Sequence, residues 1–520
     1  MAKETDPQAA VVAFLSDPAS YGPGLARIDI IETHISRVFL AGDRAYKLKR
    51  AVRLPYLDFS TEKQRRLACE AELSLNRRTA PDLYLDVRAV SVRPDGNIGW
   101  GEAGRIVDWV VVMQRFDQDA LFDSLADRGM LGPALMREVT DHIVGFHAKA
   151  ERLFGCGGSE AIARVEQTNR TCLKQHAERI FPPDEIEELH ARSMASLSSV
   201  AGLLDARRTA GKVRRCHGDL HLRNILLRDG KPVLFDCIEF SDELANTDTL
   251  YDFAFLLMDL EHRGLHDLAN RGFNRYLDLT DDDEGLAALP LFISLRAAVR
   301  AHVLATTAYC GEAKPAFRNA AEDARRYLDL ACAVLEPQPP RLVAIGGLSG
   351  TGKSTIAQAL APAMGARPGA RVLRSDVVRK RLWSVMPEAR LPADAYKSDV
   401  SQRVYEVIRG KAAVDLRAGY SVIIDAVSLR EDERAAFAAV AAAAGIPFHG
   451  VWLEAPVATM TARLEERRGD ASDAGPDVLR QQLDQDPGRI DWVHVDIGAD
   501  GENGLAAVRR ALNQRSRGAL

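Results

Sequence analysis

The chain has 520 residues, more than one hydrophobic core normally supports, so roughly two to four compact units are expected. Hydrophobic residues at 47% and charged residues at 27% are ordinary for a globular fold. A net charge of -5 excludes a broadly basic nucleic-acid surface, although a local basic cleft remains open.

The segment Met1–Asp6 is polar, and no apolar stretch of the signal-peptide kind follows it. Cysteines 69, 156, 172, 216, 237, 310 and 332 are scattered without a CxxC pair, and they read as reduced thiols of a cytoplasmic protein. From about Ile28 to Phe116 the chain is strand-rich, with strands expected at Val38–Leu40, Ala45–Lys49, Leu85–Val92 and Trp109–Met113. A helix over Thr61–Arg78 interrupts them. From Asp119 to Leu335 amphipathic helices dominate, broken by a short segment from His217 to Asp236. A small lobe of about 25–117 before a helical lobe of 118–335 predicts an α+β, two-lobed plan with a cleft. The most apolar run, Leu291–Tyr309, carries Arg296, Arg300 and His302, which suits a buried helix and no membrane span. Asp281–Glu284 reads as a solvated loop.

Within the helical half stands His217-Gly218-Asp219-Leu220-His221-Leu222-Arg223-Asn224, followed by the β-rich run Pro232–Phe235 and then Asp236. Phosphoryl transfer needs a group that orients the attacking hydroxyl, magnesium ligands and a cation on the phosphates. A short hairpin carrying Asp219, Asn224 and Asp236 brings three oxygen donors together, the kind Mg²⁺ prefers. HGDLHLRN followed by LFDCIEF resembles the catalytic loop and metal aspartate of the aminoglycoside phosphotransferase family, relatives of protein kinases and choline kinases. The resemblance implies that Asp219 is the catalytic base, that Asn224 and Asp236 are magnesium ligands, and that His217 braces the loop. It also implies that Lys47 grips the α- and β-phosphates, with Lys49 as the alternative on the same strand face. Glu72 would orient that lysine, with Glu70 as its rival, and the strand ending in Met113 would lead into an adenine-binding hinge. No GxGxxG precedes Lys47, and Cys237-Ile238 follow Asp236 where protein kinases have Phe-Gly; both departures favour a small-molecule kinase. Asp252 reads as a residue that caps or braces a helix, with substrate contact as the alternative.

The run Glu336–Pro340 holds three prolines in four residues and reads as a stiff connector. It divides a kinase-like domain over 1–335 from an α/β P-loop NTPase domain with a parallel sheet over 341–520. Strand Leu342–Ile345 leads into Gly347-Leu348-Ser349-Gly350-Thr351-Gly352-Lys353-Ser354, then a helix over Thr355–Met364. Glycines turn successive backbone N–H groups inward onto phosphate oxygens, and the helix N-terminus adds its dipole. Lys353 reaches the β- and γ-phosphates and the Ser354 hydroxyl ligates Mg²⁺. Tyr420–Asp425 reads as a buried strand ending in a carboxylate, which makes Asp425 a metal or water-shell ligand. Arg463 and Arg467 fall four apart on one helical face, with Arg468 beside them.

A carboxylate at the second strand end and an arginine-rich segment resemble the small P-loop kinases of the gluconate kinase, polynucleotide kinase and zeta toxin types. The resemblance implies that Asp376 accepts a substrate hydroxyl proton, Arg379 binds substrate, and Arg463 and Arg467 form a lid. Helix capping is the alternative for Asp376, and a solvated face the alternative for the arginines. The expectation is thus a bifunctional, ATP- and Mg²⁺-dependent phosphotransferase acting on small-molecule hydroxyls. The alternatives are a regulatory ATP-binding protein with one pseudokinase module, and a polynucleotide 5′-end kinase in the C-terminal domain. The sequence does not fix either acceptor or the oligomeric state.

Overall fold

The computed structural model describes residues 7–33, 35–54, 57–309, 315–467, 469–498 and 501–516. Met1–Asp6, Cys310 and Arg468 lie outside the described residues. Two compact units emerge, one of residues 1–183, 204–256 and 299–325, the other of 184–203, 257–298 and 326–520.

The first unit opens with an antiparallel sheet of β1 (Asp29–Glu32), β2 (Ser36–Ala41), β3 (Arg44–Lys49), β4 (Tyr84–Val92), β5 (Ile98–Trp100) and β6 (Arg105–Gln114), in the order β1-β2-β3-β6-β4-β5. Strand alternation gives the sheet two apolar faces. Tyr46 and Leu48 of β3 join Phe39, Val110 and Val112 on one. Ala45 joins Val111, Met113 and Cys69 on the other, so Lys47 and Lys49 share the face of α1 (Glu62–Asn76). That helix starts in a capping box, with Thr61 accepting from the Gln64 N–H and the Gln64 side chain returning the bond.

Helices α2 (Pro133–Lys149), α3 (Gly158–Lys174) and α4 (Pro183–Thr209) follow. Strands β7 (Ile225–Arg228) and β8 (Lys231–Leu234) then form a two-stranded antiparallel hairpin. Asp229 and Gly230 at its tip take φ of 51° and 74°, the left-handed pair that a two-residue hairpin turn requires. The hairpin closes at its base, where the Phe235 N–H donates to the Asn224 carbonyl at 3.1 Å.

Helices α5 (Thr249–His262), α6 (His266–Thr280), α7 (Leu289–Tyr309) and α8 (Pro315–Val334) complete the helical stretch. Among the described residues one stretch, Asp283–Ala308, is long and apolar enough to cross a membrane, and most of it is buried inside the protein.

The second unit holds β9 (Leu342–Gly346), α9 (Lys353–Leu360), β10 (Arg371–Arg374), α10 (Ser375–Leu382), α11 (Ser398–Arg417), β11 (Val422–Asp425), α12 (Glu431–Ala444), β12 (Phe448–Glu454), α13 (Val457–Glu466), α14 (Pro476–Leu483), β13 (Val493–Asp496) and α15 (Gly501–Ser516). Its five strands are parallel, in the order β10-β11-β9-β12-β13. The connection from β9 runs to β10 on one side and that from β11 crosses to β12 on the other, so the carboxyl ends of the adjacent strands β9 and β11 flank a topological switch point, where α/β sheets bind ligands.

The edge strand β10 is covered from within this unit by α6. Asn270 Nδ2 donates to the carbonyls of Pro368 at 3.1 Å and Ala370 at 3.0 Å, and the Val372 N–H donates to Asn274 Oδ1 at 2.7 Å. Side-chain amides thus satisfy backbone groups that an open edge leaves unpaired. Phe273 stacks on Tyr420 with ring centroids 5.6 Å apart.

The acidic run Asp281–Glu284 is solvated only at its ends: Asp281 and Glu284 are exposed, whereas Asp282 and Asp283 are each only 3% exposed. The cause is Arg371, itself buried, whose Nε donates to Asp283 Oδ1 at 2.9 Å and whose Nη1 donates to Asp278 Oδ1 at 2.7 Å. Lys411 pairs with Asp281 and Asp283 from α11. Buried cations require such partners.

Candidate functional site

In the first unit, Lys47 Nζ donates to Glu72 Oε1 at 2.8 Å and to Asp236 Oδ1 at 2.5 Å. Burial opposes its charge, but Asp236 and Glu72 together hold the ammonium well above the usual lysine range. Lys49 is sealed more deeply, donating to Glu72 Oε2 at 2.6 Å and to Glu239. Glu72 is therefore shared by both lysines, and burial notwithstanding, they keep it ionised below the usual carboxylate range. Glu70 lies on the outer side of α1, paired with Arg66 at 2.9 Å. Only Lys47 of the two lysines reaches Asp236.

The loop before the hairpin carries the remaining groups. Asn224 Nδ2 donates to Asp219 Oδ2 and to the Asp219 carbonyl, both at 2.9 Å, which fixes the carboxylate and leaves the amide oxygen of Asn224 as an acceptor. Burial would raise the Asp219 pKa, but His221, Arg300 and His217 hold it below the usual range. His217 Nε2 donates to the Phe235 carbonyl at 2.9 Å, and its Nδ1 accepts the Asp219 N–H at 3.4 Å. These two contacts assign the neutral tautomer, consistent with a pKa lowered by burial. The histidine so ties the Asp219 loop to the residue before Asp236. Asp236 takes a left-handed φ of 60°, and its N–H donates to Tyr84 Oη at 3.1 Å.

Asp252 at the start of α5 braces the loop. Its Oδ1 accepts the Gly218 N–H at 2.7 Å, and Oδ2 accepts the His217 N–H at 3.2 Å and contacts His147 Nε2 at 3.0 Å. Its sequence signal is a carboxylate in the otherwise apolar helical run Leu250–Met258. Met113 lies on β6 between Ala45 of β3 and Tyr84 of β4, with its side chain in the core.

In the second unit the loop from Gly347 to Gly352 follows β9. Gly347, Gly350 and Gly352 take φ of 133°, 87° and 92°. A Cβ on Gly347 would meet the Leu453 carbonyl at 2.5 Å, and one on Gly350 the Met460 carbonyl at 2.6 Å. Lys353 Nζ donates to the carbonyls of Gly347 at 2.8 Å and Leu348 at 2.9 Å, and burial lowers its pKa against the pull of Asp425 and Asp376. Thr351 is buried, with Oγ1 donating to the Leu348 carbonyl at 2.8 Å. Helix α9 begins at Lys353, so Ser354 and Thr355 fall in its first turn. Ser354 Oγ donates to Asp425 Oδ2 at 2.6 Å.

Arg374 links these groups to a covering segment: its Nη2 donates to Ser354 Oγ at 3.2 Å and to both Asp470 oxygens at 3.0 Å. Asp376 is the second residue of α10, whose cap position is Arg374 with no side-chain capping bond; Asp376 is not a helix cap. Burial raises its pKa, with Arg374 and a hydrogen bond to Ser472 opposing. Arg379 is committed to the chain, with Nη1 donating to the Ala395 carbonyl at 2.6 Å and the guanidinium over the Tyr396 ring at 4.9 Å.

Arg463 lies within α13, and Arg467, with a helical φ of -61°, is the C-terminal cap one turn further on. Helix α13 ends at Glu466, and Arg467 leaves it with ψ of 130°, which carries the chain toward the Arg374–Asp470 pair. Arg463 Nη1 donates to the carbonyls of Gly350 at 3.5 Å and Thr351 at 3.4 Å. Sequence reading also missed Gln482 of α14, whose Oε1 accepts the Ser349 N–H at 2.8 Å; a lone glutamine in a short polar helix carries no motif. At the two phosphate sites the donors expected to hold a metal are oxygens on adjacent elements, Asn224 and Asp236 in one, Ser354 and Asp425 in the other. That donor set fits Mg²⁺.

Comparison with known proteins agrees with this division of chemistry. Residues 120–289 match the phosphotransferase enzyme family, APH, and residues 342–486 match the AAA domain family AAA_33. The uncharacterized protein Rv2004c of Mycobacterium tuberculosis (strain ATCC 25618 / H37Rv) is 33% identical over 476 residues, covering 89% of this chain and 92% of that protein. The uncharacterized protein Mb2027c of Mycobacterium bovis shows the same identity and coverage. Among solved structures, a gluconokinase from Sinorhizobium meliloti 1021 is 21% identical, covers 34% of this chain and 98% of its own, and gives a TM-score of 0.25. A choline/ethanolamine kinase family protein from Mesorhizobium loti is 13% identical, covers 63% of this chain and 100% of its own, and gives 0.37. The chain belongs to the family of these mycobacterial proteins, and it joins an APH-type phosphotransferase domain to a C-terminal P-loop kinase-like domain.

Proposed function

We propose that the chain is a bifunctional kinase in which each site transfers the terminal phosphoryl group of ATP to a hydroxyl of a small molecule. The observation that carries the reading is shared by both units: a lysine directed at phosphate lies beside carboxylates suited to magnesium and to a hydroxyl proton. We assign residues 1–335 and 341–520 as the two functional modules, joined by 336–340.

In the transfer, the acceptor oxygen bonds to the terminal phosphorus as the bond from that phosphorus to the β-bridging oxygen breaks, and ADP leaves. The hydroxyl proton passes to Asp219 in one module and Asp376 in the other. Their environments suit different emphases. Asp219, held ionised by His221 and Arg300, orients the hydroxyl as a weak base, which a loose transition state tolerates. Asp376, raised by burial, is better matched to receiving the proton. Lys47, oriented by Glu72, grips the α- and β-phosphates, and the backbone past Met113 receives adenine. The loop from Gly347 to Thr355 cradles the second triphosphate, with Arg463 and Arg467 over it. Mg²⁺, when bound, neutralises charge on the phosphate oxygens; Asn224 and Asp236 would hold it in the first module, Ser354 and Asp425 in the second. The free thiols fit a reducing, ATP-supplied cytoplasm.

One observation favours a regulatory first module: no glycine-rich GxGxxG run precedes Lys47. The test is ATP consumption by the full chain against sugars, aminoglycosides, nucleosides and 5′-hydroxyl oligonucleotides. Asp219→Ala and Lys353→Ala are each expected to remove one distinct activity by about 10²-fold or more. If Asp219→Ala changes nothing while Lys353→Ala removes all turnover, the first module regulates.

A further inference from the structure

The P-loop cradle works by offering backbone N–H groups to phosphate oxygens, yet one of those donors is committed to a side chain. The Ser349 N–H donates to Gln482 Oε1 at 2.8 Å. Gln482 sits one turn beyond Leu479, which is buried with Met460 and Leu464 in a small apolar cluster that includes Leu348 of the loop. The glutamine is therefore held at the loop by packing, not by a chance surface contact. The same strap is anchored twice more: Asp470 to Arg374 at 3.0 Å, and Asp473 to Lys380 and to Tyr396. Arg463 of α13 touches the loop carbonyls of Gly350 and Thr351. The segment from α13 through α14 thus grips the rim of the cradle, and Gln482 is its contact with a backbone donor of the loop.

Resting on the P-loop kinase reading, we infer that Gln482 is a positioning residue for the terminal phosphate. A carboxamide carries an acceptor and two donors on one planar group. Its oxygen and a phosphate oxygen compete for the Ser349 N–H. When a triphosphate takes that N–H, rotation of the side chain presents the Gln482 NH₂ to the terminal phosphate, a charge-assisted bond. A diphosphate lacks the group to which that amide would donate. Gln482 then makes the site distinguish ATP from ADP and couples the terminal phosphate to the α13–α14 strap.

The experiment is calorimetric titration of the full chain with Mg-ADP and with Mg-AMP-PNP, in a Lys47→Ala background that silences the first site. Lys353→Ala is added to define P-loop binding. Gln482→Ala is expected to weaken Mg-AMP-PNP about tenfold while leaving Mg-ADP unchanged or slightly tighter. Gln482→Glu is expected to weaken Mg-AMP-PNP further by charge repulsion. Equal effects on both nucleotides, or none on either, overturn the role of Gln482. Loss of all Lys353-dependent binding in the parent protein overturns the P-loop reading instead, so the two failures are distinct. Unchanged melting of the variants separates the effect from misfolding.

Discussion

Asp415 of α11 is buried and neither of its carboxylate oxygens has a hydrogen-bond partner. Burial, with Asp283 adding to it, pushes this carboxyl up to about 8 against the pull of Arg371 and Lys411. An unfolded aspartate ionises near pH 4, so between about 4 and 8 the folded state binds the extra proton. Stability therefore falls as pH rises through that window and levels off above it. Asp415→Asn is expected to stabilise the chain by about 1–3 kcal/mol at pH 8, with the gain shrinking toward pH 5. Thermal melts at the two pH values check this; an equal gain at both would show that the carboxyl does not hold its proton. The same residue marks a limit of sequence reading. Asp219, Asp236 and Asp425 stand in motifs whose spacing reports a shared site, whereas Asp415 and Asp283 meet across 132 positions by subtraction and carry no local signal.

At the scale of elements, the P-loop shows what its glycines permit. Gly350 stands where a Cβ would press on the Met460 carbonyl at 2.6 Å, with φ of 87°. Gly350→Ala is expected to displace α13 from the loop, costing about 1–3 kcal/mol and removing Lys353-dependent nucleotide binding. Mant-nucleotide fluorescence on the full chain reads the second effect; intact binding would mean that the strap moves freely. Strand positions were legible because β3, β6 and β9 follow their expected alternation or apolar runs. The ends of elements were less so. Helix α1 ends at Asn76 rather than Arg78, and α9 stops at Leu360 where the chain tightens into a 3₁₀ turn at Ala361–Ala363. The Asp252 brace was hidden because its partners are backbone N–H groups, which no sequence pattern announces.

At the scale of the molecule, the motifs divide at the proline-rich connector, but the packing does not. The P-loop sheet draws residues 257–298 into its own compact unit, and α6 covers the β10 edge through Asn270 and Asn274. A fragment beginning at Arg341 bares that edge and is expected to self-associate, whereas one beginning at residue 257 keeps its cover and stays monomeric to higher concentration. Sedimentation of the two fragments decides; a monodisperse 341–520 would show that the edge needs no covering. The burial of Arg371 against Asp278 and Asp283 also has a meaning in time. The ribosome makes Asp283 128 residues before Lys411, an interval of roughly 6–25 s at usual rates of synthesis. Arg371 follows Asp283 by 88 residues, so for the first part of that interval the acidic turn after α6 has neither of these cations, and for the rest it has only the arginine. The nascent helical region must wait in a provisional state for its counter-charges, so completion of this unit is a late event in the life of each newly made chain.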